Sequence, residues 1–430
     1  MKKRFLLALC LGLTVCLLSG CASVLSMSPL FRGSGATAAT SEVSSTGRGF
    51  FSFGDDEPEG DTVTITREQY ERYRQFDELL ELMDAAETYF YKETDTKKML
   101  QGACEGLLSG LGDHYTFYYT PEEWEQMWED DEGEYAGVGI LISSNYSTGI
   151  CTISRVFRGS PAEAAGVRRG DILYRVGEEL YVTAENLQDA VDIMRGTPGT
   201  TVDVTFLRNG EEITFTLERA IINVNQIESK MLTDEIGLIA MYQFAGKCDE
   251  EFEEALDTLT AQGARGLIID LRDNPGGWVD AAQRIGDLFL DEGDLCYLVY
   301  KDGSEDHCYL TQKGKLEIPL VLLVNENSAS ASEILTGALR ERADATVVGV
   351  NTYGKGIVQV VLPVGKEGAG FQMTIAEYRT PDGNRVHEVG LAPDVEIALE
   401  EGDNGEYDFA DMENDPQLKK AFETLTEKMK

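Results

Sequence analysis

The sequence predicts a multidomain α/β protein: a helical N-terminal region, a β-rich middle segment and a layered α/β core. Three observations lead there. A chain of 430 residues is too long for one hydrophobic core. Residues 133–222 read as short strands punctuated by turns. Residues 223–400 alternate apolar strands with amphipathic helices, the pattern of a largely parallel sheet with helices on its faces.

In the helical region, 66–132, Tyr70, Tyr73, Phe76, Leu79, Leu80 and Met83 recur at spacings of three and four. This stripe is expected to be packed core, with a homodimer face as the alternative. The middle segment offers Ile140-Leu141-Ile142, Cys151-Thr152-Ile153, Ile172-Leu173-Tyr174 and Val202-Asp203-Val204-Thr205-Phe206 as strands, with one helix at 184–194. Asn209-Gly210 marks a hairpin turn into Ile213-Thr214-Phe215-Thr216-Leu217. In the core, strands are expected at Leu267-Ile268-Ile269-Asp270-Leu271, 319–324, 357–362 and 373–378, and helices at 278–290 and 331–342. The acidic segment and C-terminal helix fill 401–430, with Asp415-Pro416 as a helix start.

Charge and cysteines narrow the function. With 37 Lys+Arg against 76 Asp+Glu, the net charge is −39, a field that repels nucleic acid and anionic headgroups. Nucleic acid is therefore not an expected partner. Five of the eight cysteines lie beyond residue 21, without CxxC or Cys/His spacing, so neither a metal site nor a cofactor is expected. Cys296 and Cys308 flank an Asp302-Gly303 turn, which suggests a disulfide across a hairpin.

The N-terminus departs from the acidic average. Met1-Lys2-Lys3-Arg4 precedes an apolar run to Leu18, shorter than the roughly 20 residues a spanning helix needs. It reads as an export signal. Leu18-Ser19-Gly20-Cys21 resembles the lipobox of bacterial lipoproteins, in which cleavage leaves the cysteine to carry lipid. The resemblance implies residues 1–21 as signal, Cys21 as the lipidated residue, and a location on the extracytoplasmic face of the bacterial membrane. An uncleaved signal anchor is the alternative. Residues 22–65, rich in Ser, Gly and Thr, read as a flexible tether.

Catalysis needs a base, and the three histidines (His114, His307, His387) lie near no GxSxG elbow. Three loops stand out instead. Ser328-Ala329-Ser330-Ala331-Ser332-Glu333 joins an apolar strand to a helix, where free N–H groups favour developing negative charge. The same residues also spell a capping box, which requires no chemistry. Arg272-Asp273-Asn274-Pro275-Gly276-Gly277 and Thr352-Tyr353-Gly354-Lys355-Gly356 each follow a strand of the same presumed sheet. Ligand and active sites of α/β proteins gather at such strand ends.

The middle segment resembles a PDZ domain through Gly137-Val138-Gly139-Ile140, Ser160-Pro161-Ala162-Glu163, Ala165-Gly166-Val167 and Gly170-Asp171-Ile172. Gly137, Val138, Gly139 and Ile140 would then bind a peptide's C-terminal carboxylate through backbone N–H groups, with the next strand offering an edge. Over residues 79–395 the chain resembles the carboxyl-terminal processing peptidases. The resemblance rests on Gly110-Leu111-Gly112-Asp113, Asp270-Leu271-Arg272, Asn274-Pro275-Gly276-Gly277-Trp278, the Ser-Ala-Ser-Ala-Ser-Glu run, Gly354-Lys355-Gly356 with Gln359, Tyr378-Arg379-Thr380-Pro381-Asp382-Gly383, and Pro393-Asp394-Val395.

That likeness implies a ClpP/crotonase-like serine protease core cleaving proteins near exposed C-terminal tails, with the PDZ domain binding the tail and gating the site. It places the nucleophile on Ser330, the general base on Lys355 and the lysine's support on Gln359. Lys355 must then be buried, to bring its pKa down from ~10.4. The oxyanion would be held by the N–H of Ala331 and of Gly276 or Gly277. Direct contact between Gln359 and Lys355 requires a bent strand, since four extended residues span roughly 13 Å. A non-catalytic PDZ scaffold that captures protein C-termini is the competing function.

Overall fold

The computed structural model describes residues 24–25, 64–131, 134–145, 148–312, 316–399, 407 and 409–430. It divides into two compact units, Met27–Gly112 and Met1–Ser26 with Asp113–Lys430. The expected signal, Cys21, and residues 22, 23 and 26–63 of the tether fall outside the described residues.

The first unit holds the helices Arg67–Tyr73, Asp77–Tyr89 and Thr96–Ser109. Their boundaries follow local chemistry: Thr66 and Gln69 form a reciprocal capping box, and Asp95 caps Lys98 N–H. None of the three buries a residue. The expectation that the stripe is packed core is therefore not met: Tyr70, Tyr73, Phe76 and Leu80 are exposed. Helices of two to four turns have too little surface to enclose a core within this unit.

The second unit is organised around a six-stranded sheet in the order Ile227–Met231, Ile236–Met241, Gly266–Asp270, Leu320–Val324, Thr346–Gly349, Val395–Glu396. Only the first pair is antiparallel. The apolar runs are explained by cover on both faces. Leu267, Ile269 and Leu322 face a cluster with Phe252, Ile285 and Leu335 of the helices Cys248–Ala261, Val279–Gly286 and Ala331–Arg342. Ile268, Val321 and Leu323 face Leu418, Ala421 and Leu425 of the C-terminal helix Pro416–Lys428. Asp415 caps that helix, as its position before Pro416 suggests.

A second sheet packs beyond the helices, antiparallel except for Val24–Leu25, which pairs in parallel with Gln359 and Val360 where the sequence suggested a loose tether. It contains Ile357–Val364, Ala369–Arg379, Gly293–Tyr300 and Glu305–Thr311, and Phe117–Tyr119 pairs with Ala369–Arg379. Cys296 and Cys308 are on neighbouring strands here but both are free thiols. The disulfide expectation fails on register: Cys296 is opposite Tyr309, so Cys308 lies one residue off, and Cys296 is buried while Cys308 is exposed.

The β-rich segment forms its own sheet: Ile140–Asn145, Ile150–Val156, Ile172–Val176, Thr201–Arg208, Glu211–Glu218. Its core includes Ile153, Val204 and Phe206 with Leu187, Ala190 and Met194 of the helix Leu187–Met194. Asn209 and Gly210 take positive φ, 55° and 82°, as the two-residue hairpin requires. A two-stranded ribbon, Glu134–Gly137 with Ala220–Asn223, closes the segment where the chain enters and leaves it.

Candidate active site

The three loops singled out in the sequence follow three adjacent parallel strands, Gly266–Asp270, Leu320–Val324 and Thr346–Gly349, and so meet along one edge. In the serine loop, the outer serines are engaged structurally. Ser328 Oγ donates to Leu271 O at 2.7 Å and accepts Asn325 N–H at 2.9 Å. Ser332 Oγ donates to Asn274 O at 2.9 Å. Ser330 differs: its Oγ is buried and has no hydrogen-bond partner. Its backbone is at φ 59°, ψ −116°, outside the regions a non-glycine residue ordinarily takes. It is the N-cap of the helix Ala331–Arg342, whose free N–H groups lie beside it.

The capping-box glutamate does more than cap. Glu333, fully buried, accepts Ser330 N–H at 2.9 Å and Lys355 N–H at 2.9 Å on Oε2. Its Oε1 accepts the Thr352 hydroxyl at 2.5 Å and Gly354 N–H at 2.7 Å. Burial raises its carboxyl above the ordinary range, against the opposing pull of these four donors. One carboxylate thus ties the serine loop to the lysine loop. Tyr378 spans the same pair, with its N–H on Gly356 O at 3.0 Å and its hydroxyl 3.4 Å from Ser330 O.

Lys355 is 3% exposed, and its Nζ lies 4.4 Å from the centroid of the Tyr115 ring. Because Ser330 Oγ has no partner, the lysine is not hydrogen-bonded to it in this structure. Gln359 is fully buried; Nε2 donates to Thr374 Oγ1 at 3.1 Å, while Oε1 has no partner. Direct support of Lys355 by this amide is therefore not formed here. The irregularity at this point lies on the partner strand: Val358 pairs with Ala376 and Gln359 with Thr374, so Ile375 is the extra residue and Ile357–Val364 has no insertion between Lys355 and Gln359.

The glycine loop presses on the nucleophile loop. A Cβ on Gly276 (φ +97°) would lie 2.6 Å from Ala329 O and 2.8 Å from Ala331 N. Gly276 N–H donates to Asn274 Oδ1 at 2.9 Å, and Asn274 Nδ2 donates to Met241 O at 2.8 Å. Gly277 bridges Phe244: Phe244 N–H donates to Gly276 O and Trp278 N–H to Phe244 O. In such a bridge the central residue's own N–H points away from the partner strand. The loop is braced by Arg272, whose guanidinium grips Asp270 and, 2.7 Å away, Asp415 on the C-terminal helix cap.

In the β-rich segment, Val138 O accepts Ala162 N–H, and Gly139 O accepts Phe157 N–H and the Ser160 hydroxyl. Gly139 is at φ +87°, where a Cβ would strike Ser160 Cβ at 2.2 Å. Ile140 opens the strand at the sheet's edge. From the adjacent strand, Arg155 reaches the core: Nη2 donates to Asn225 O at 2.6 Å, and the guanidinium lies 3.6 Å from the Tyr242 ring centroid.

Glu333's second role, Tyr115 over the lysine, Thr374 on Gln359 and Asp415 on Arg272 were not assigned from sequence. Glu333 carried a signal, since a capping glutamate beside a candidate nucleophile is adjacent to the chemistry. The others join the site across more than a hundred residues or through strand register.

A buried, unengaged serine at a helix N-terminus, with a buried lysine and glycine turns around it, is the arrangement of a serine hydrolase. Comparison with known proteins agrees. Residues 235–397 match the family model for peptidase family S41, and residues 152–208 that for a PDZ domain. The chain is 32% identical to carboxy-terminal processing protease CtpA of Bacillus subtilis over 75% of its length and 69% of the relative's. It is 34% identical to the carboxyl-terminal-processing protease of Synechocystis over 72% and 73% respectively. A solved photosystem II D1 C-terminal processing protease superposes with a TM-score of 0.51 at 27% identity, covering 77% of this chain and 94% of that one. The chain belongs to peptidase family S41, the carboxyl-terminal processing proteases, and is a serine peptidase carrying a PDZ domain.

Proposed function

We propose that Ser330 is the nucleophile and Lys355 its general base in an endopeptidase that cuts proteins near their C-termini. The observation that carries this reading is the middle serine: of the three in its loop, it alone has an unengaged hydroxyl, at a strained backbone position beside a helix N-terminus. Neutral Lys355 takes the Ser330 proton as Oγ attacks the scissile carbonyl. The tetrahedral oxyanion rests on the N–H of Ala331 and of Gly277, the engagement of Gly276 N–H by Asn274 favouring Gly277. Collapse expels the amine, which takes the proton from Lys355, and leaves an ester on Ser330. Lys355 then deprotonates a water that hydrolyses the ester. Gln359 Oε1 is the acceptor that steadies the lysine ammonium between these steps. Burial of Lys355 supports the requirement for a neutral amine.

In this reading the structure is a resting state, with Lys355 held over Tyr115 until a bound tail brings it to Ser330. The tail adds to the edge strand Ile140–Asn145, its carboxylate met by the Gly137-Val138-Gly139-Ile140 loop. The protein is lipid-tethered at Cys21 outside the cell membrane, and its exposed N-terminal helices pair in a homodimer.

The test is casein cleavage by full-length wild type, Ser330→Ala and Lys355→Ala, with and without apolar C-terminal peptides. Cleavage by wild type alone is expected, faster with peptide; activity surviving in Ser330→Ala refutes the assignment. Labelling by radiolabelled fatty acid that is lost in Cys21→Ala tests the tether, and sedimentation equilibrium tests the dimer.

A further inference from the structure

The chain has three tryptophans, and all three meet in one aromatic ladder beside the glycine loop. Trp278 directly follows Gly277. Its ring stacks on that of Trp128, with centroids 5.9 Å apart and an interplanar angle of 16°. Trp124 meets Trp128 edge-on at 5.6 Å, and Tyr119 meets Trp124 edge-on at 5.9 Å. Phe117, Tyr119, Trp124, Met127 and Trp278 share a small apolar cluster with Val361, on the strand that follows Lys355.

Trp128 is held in place independently of the glycine loop. It belongs to the helix Pro121–Asp131, whose start is fixed reciprocally: Thr120 N–H donates to Glu123 Oε2 at 2.8 Å, and Glu123 N–H to Thr120 Oγ1 at 3.2 Å. Trp124 and Trp128 are four residues apart and so share one face of this helix. Trp124 seats that face on the second sheet, lying so close to Gly370 that no Cβ would fit there. Gly370 is in turn the register partner of Tyr119.

The glycine loop needs such an outside hold. Gly276 and Gly277, at φ +97° and +137°, have no side chains with which to fix the peptide between them. The C=O of that peptide accepts Phe244 N–H at 2.9 Å, so its N–H, on Gly277, points the opposite way. On one flank, Asn274 bonds Gly276 N–H and Met241 O. On the other, the first side chain is Trp278, whose N–H donates to Phe244 O at 2.8 Å and whose ring rests on Trp128. Trp278 is the N-cap of the helix Val279–Gly286 but makes no side-chain capping bond, so an indole here does not serve the helix start.

We propose that Trp128 is a positioning residue: by stacking on Trp278 it fixes the turn at Gly276-Gly277, and with it the aim of Gly277 N–H at the oxyanion. The proposal rests on the reading of that N–H as an oxyanion donor. Such a donor acts through its geometry, and its energy is realised only as the oxygen becomes negative. A displaced turn therefore lowers turnover and leaves substrate binding nearly intact. The helix of Trp128 is also the last before the strand Glu134–Gly137, so the stack ties the oxyanion loop to the chain's entry into the PDZ domain.

The experiment is a double-mutant cycle on full-length protein, reading kcat and KM for a fluorogenic peptide with an apolar tail, and Ki for a peptide aldehyde. The Ser330 hydroxyl adds across the aldehyde C=O, and the hemiacetal oxygen takes the oxyanion position. Trp128→Ala is expected to lower kcat at least about tenfold with KM within about twofold, the effect of a misplaced rather than a missing donor. Ki for the aldehyde is expected to rise by the same factor. Trp128→Phe, which keeps a ring to stack, should retain at least about half of the wild-type kcat. Trp278→Ala should match Trp128→Ala, and the double variant should be no slower than either single one. Full kcat of Trp128→Ala overturns the proposal. So do multiplicative losses in the double variant, because the two rings would then act through separate contacts. A rise in KM at constant kcat overturns it as well, since the ring would be binding substrate. A loss of kcat without an equal loss of aldehyde affinity shows that the ring positions something other than Gly277 N–H, and overturns it too. Activity of Ser330→Ala is a different failure: it sinks the nucleophile and oxyanion reading, and this proposal with it, whatever the tryptophan cycle gives. Should Trp278→Ala fail to fold, Trp128, 38% exposed, carries the test through its alanine and phenylalanine variants.

Discussion

Glu333 and Lys355 are joined by a hydrogen bond of 2.9 Å from the lysine's N–H to carboxylate Oε2, the oxygen that also accepts Ser330 N–H. The backbone of the candidate base and that of the candidate nucleophile are thus referenced to a single buried atom. Glu333→Gln keeps the shape but turns one of two doubly engaged oxygens into a donor facing donors. At roughly 1.5–3 kcal/mol for each hydrogen bond to a charged group, kcat/KM should fall by about a hundredfold or more. Thermal unfolding should also drop by several degrees. A variant of wild-type activity would show that the two loops are held by other contacts, Tyr378 foremost.

Close approach of the glycine loop to the nucleophile loop makes a second case. Gly276→Ala would set a Cβ against the backbone at Ala329 and Ala331 and also force an L residue to φ +97°. Gly199, at φ +84°, has open space around its would-be Cβ. Both alanines incur left-handed strain of about 1 kcal/mol, but only the first displaces the site. Gly276→Ala should lose at least about tenfold in kcat, whereas Gly199→Ala should cleave normally and merely unfold a little earlier. Parallel kinetics and melting curves separate the two; equal kinetic losses would mean that backbone strain alone is responsible.

The contrast between these glycines also shows what the sequence could convey. Strand-to-loop order was legible because the parallel strands are continuous apolar runs, Leu320–Val324 being wholly buried. The helix after Ser330 starts and stops at Ala331 and Arg342, as its composition suggests. The placement of Thr374 beside Gln359 was not legible, because it depends on pairing between strands and on the extra residue Ile375 in the partner strand. The same holds for Cys296 and Cys308, where a register offset of one residue decides burial. The helical stripe misled for another reason. Periodicity reports an amphipathic face but not what covers it, and Tyr70, Tyr73, Phe76 and Leu80 are exposed.

Arg155 governs the junction between the PDZ sheet and the core. Its side chain is 12% exposed, bonded to Asn225 O and laid on Tyr242, with Glu228 at 3.7 Å. Arg155→Ala should loosen this junction without unfolding either part, because the ribbon of Glu134–Gly137 with Ala220–Asn223 remains. Hydrogen exchange should rise selectively at residues 225–228, and Arg155→Lys should restore little, since an ammonium lacks the planar face that stacks on the ring. Uniform exchange across the PDZ sheet would instead mean that Arg155 stabilises the domain itself.

Glu377 offers a test of acid stability in the sheet that carries the lysine strand. Its carboxylate takes Arg385 and Arg379, and the bond from Arg385 chiefly holds its pKa down at about 2. A carboxyl depressed by folding stabilises the native state above its unfolded pKa of ~4.3, and that contribution disappears as pH falls to the folded value. Both partners are partly exposed, Glu377 by 32% and Arg385 by 45%, so solvent screening limits the effect to about 1 kcal/mol. Glu377→Gln should therefore melt about 2 °C below wild type at pH 7. The gap should close as the buffer is taken from pH 5 towards pH 2, and narrow at high salt. A gap that stays constant down to pH 2 would mean that the arginines bond the neutral amide as well as the carboxylate, and that charge contributes nothing at this site.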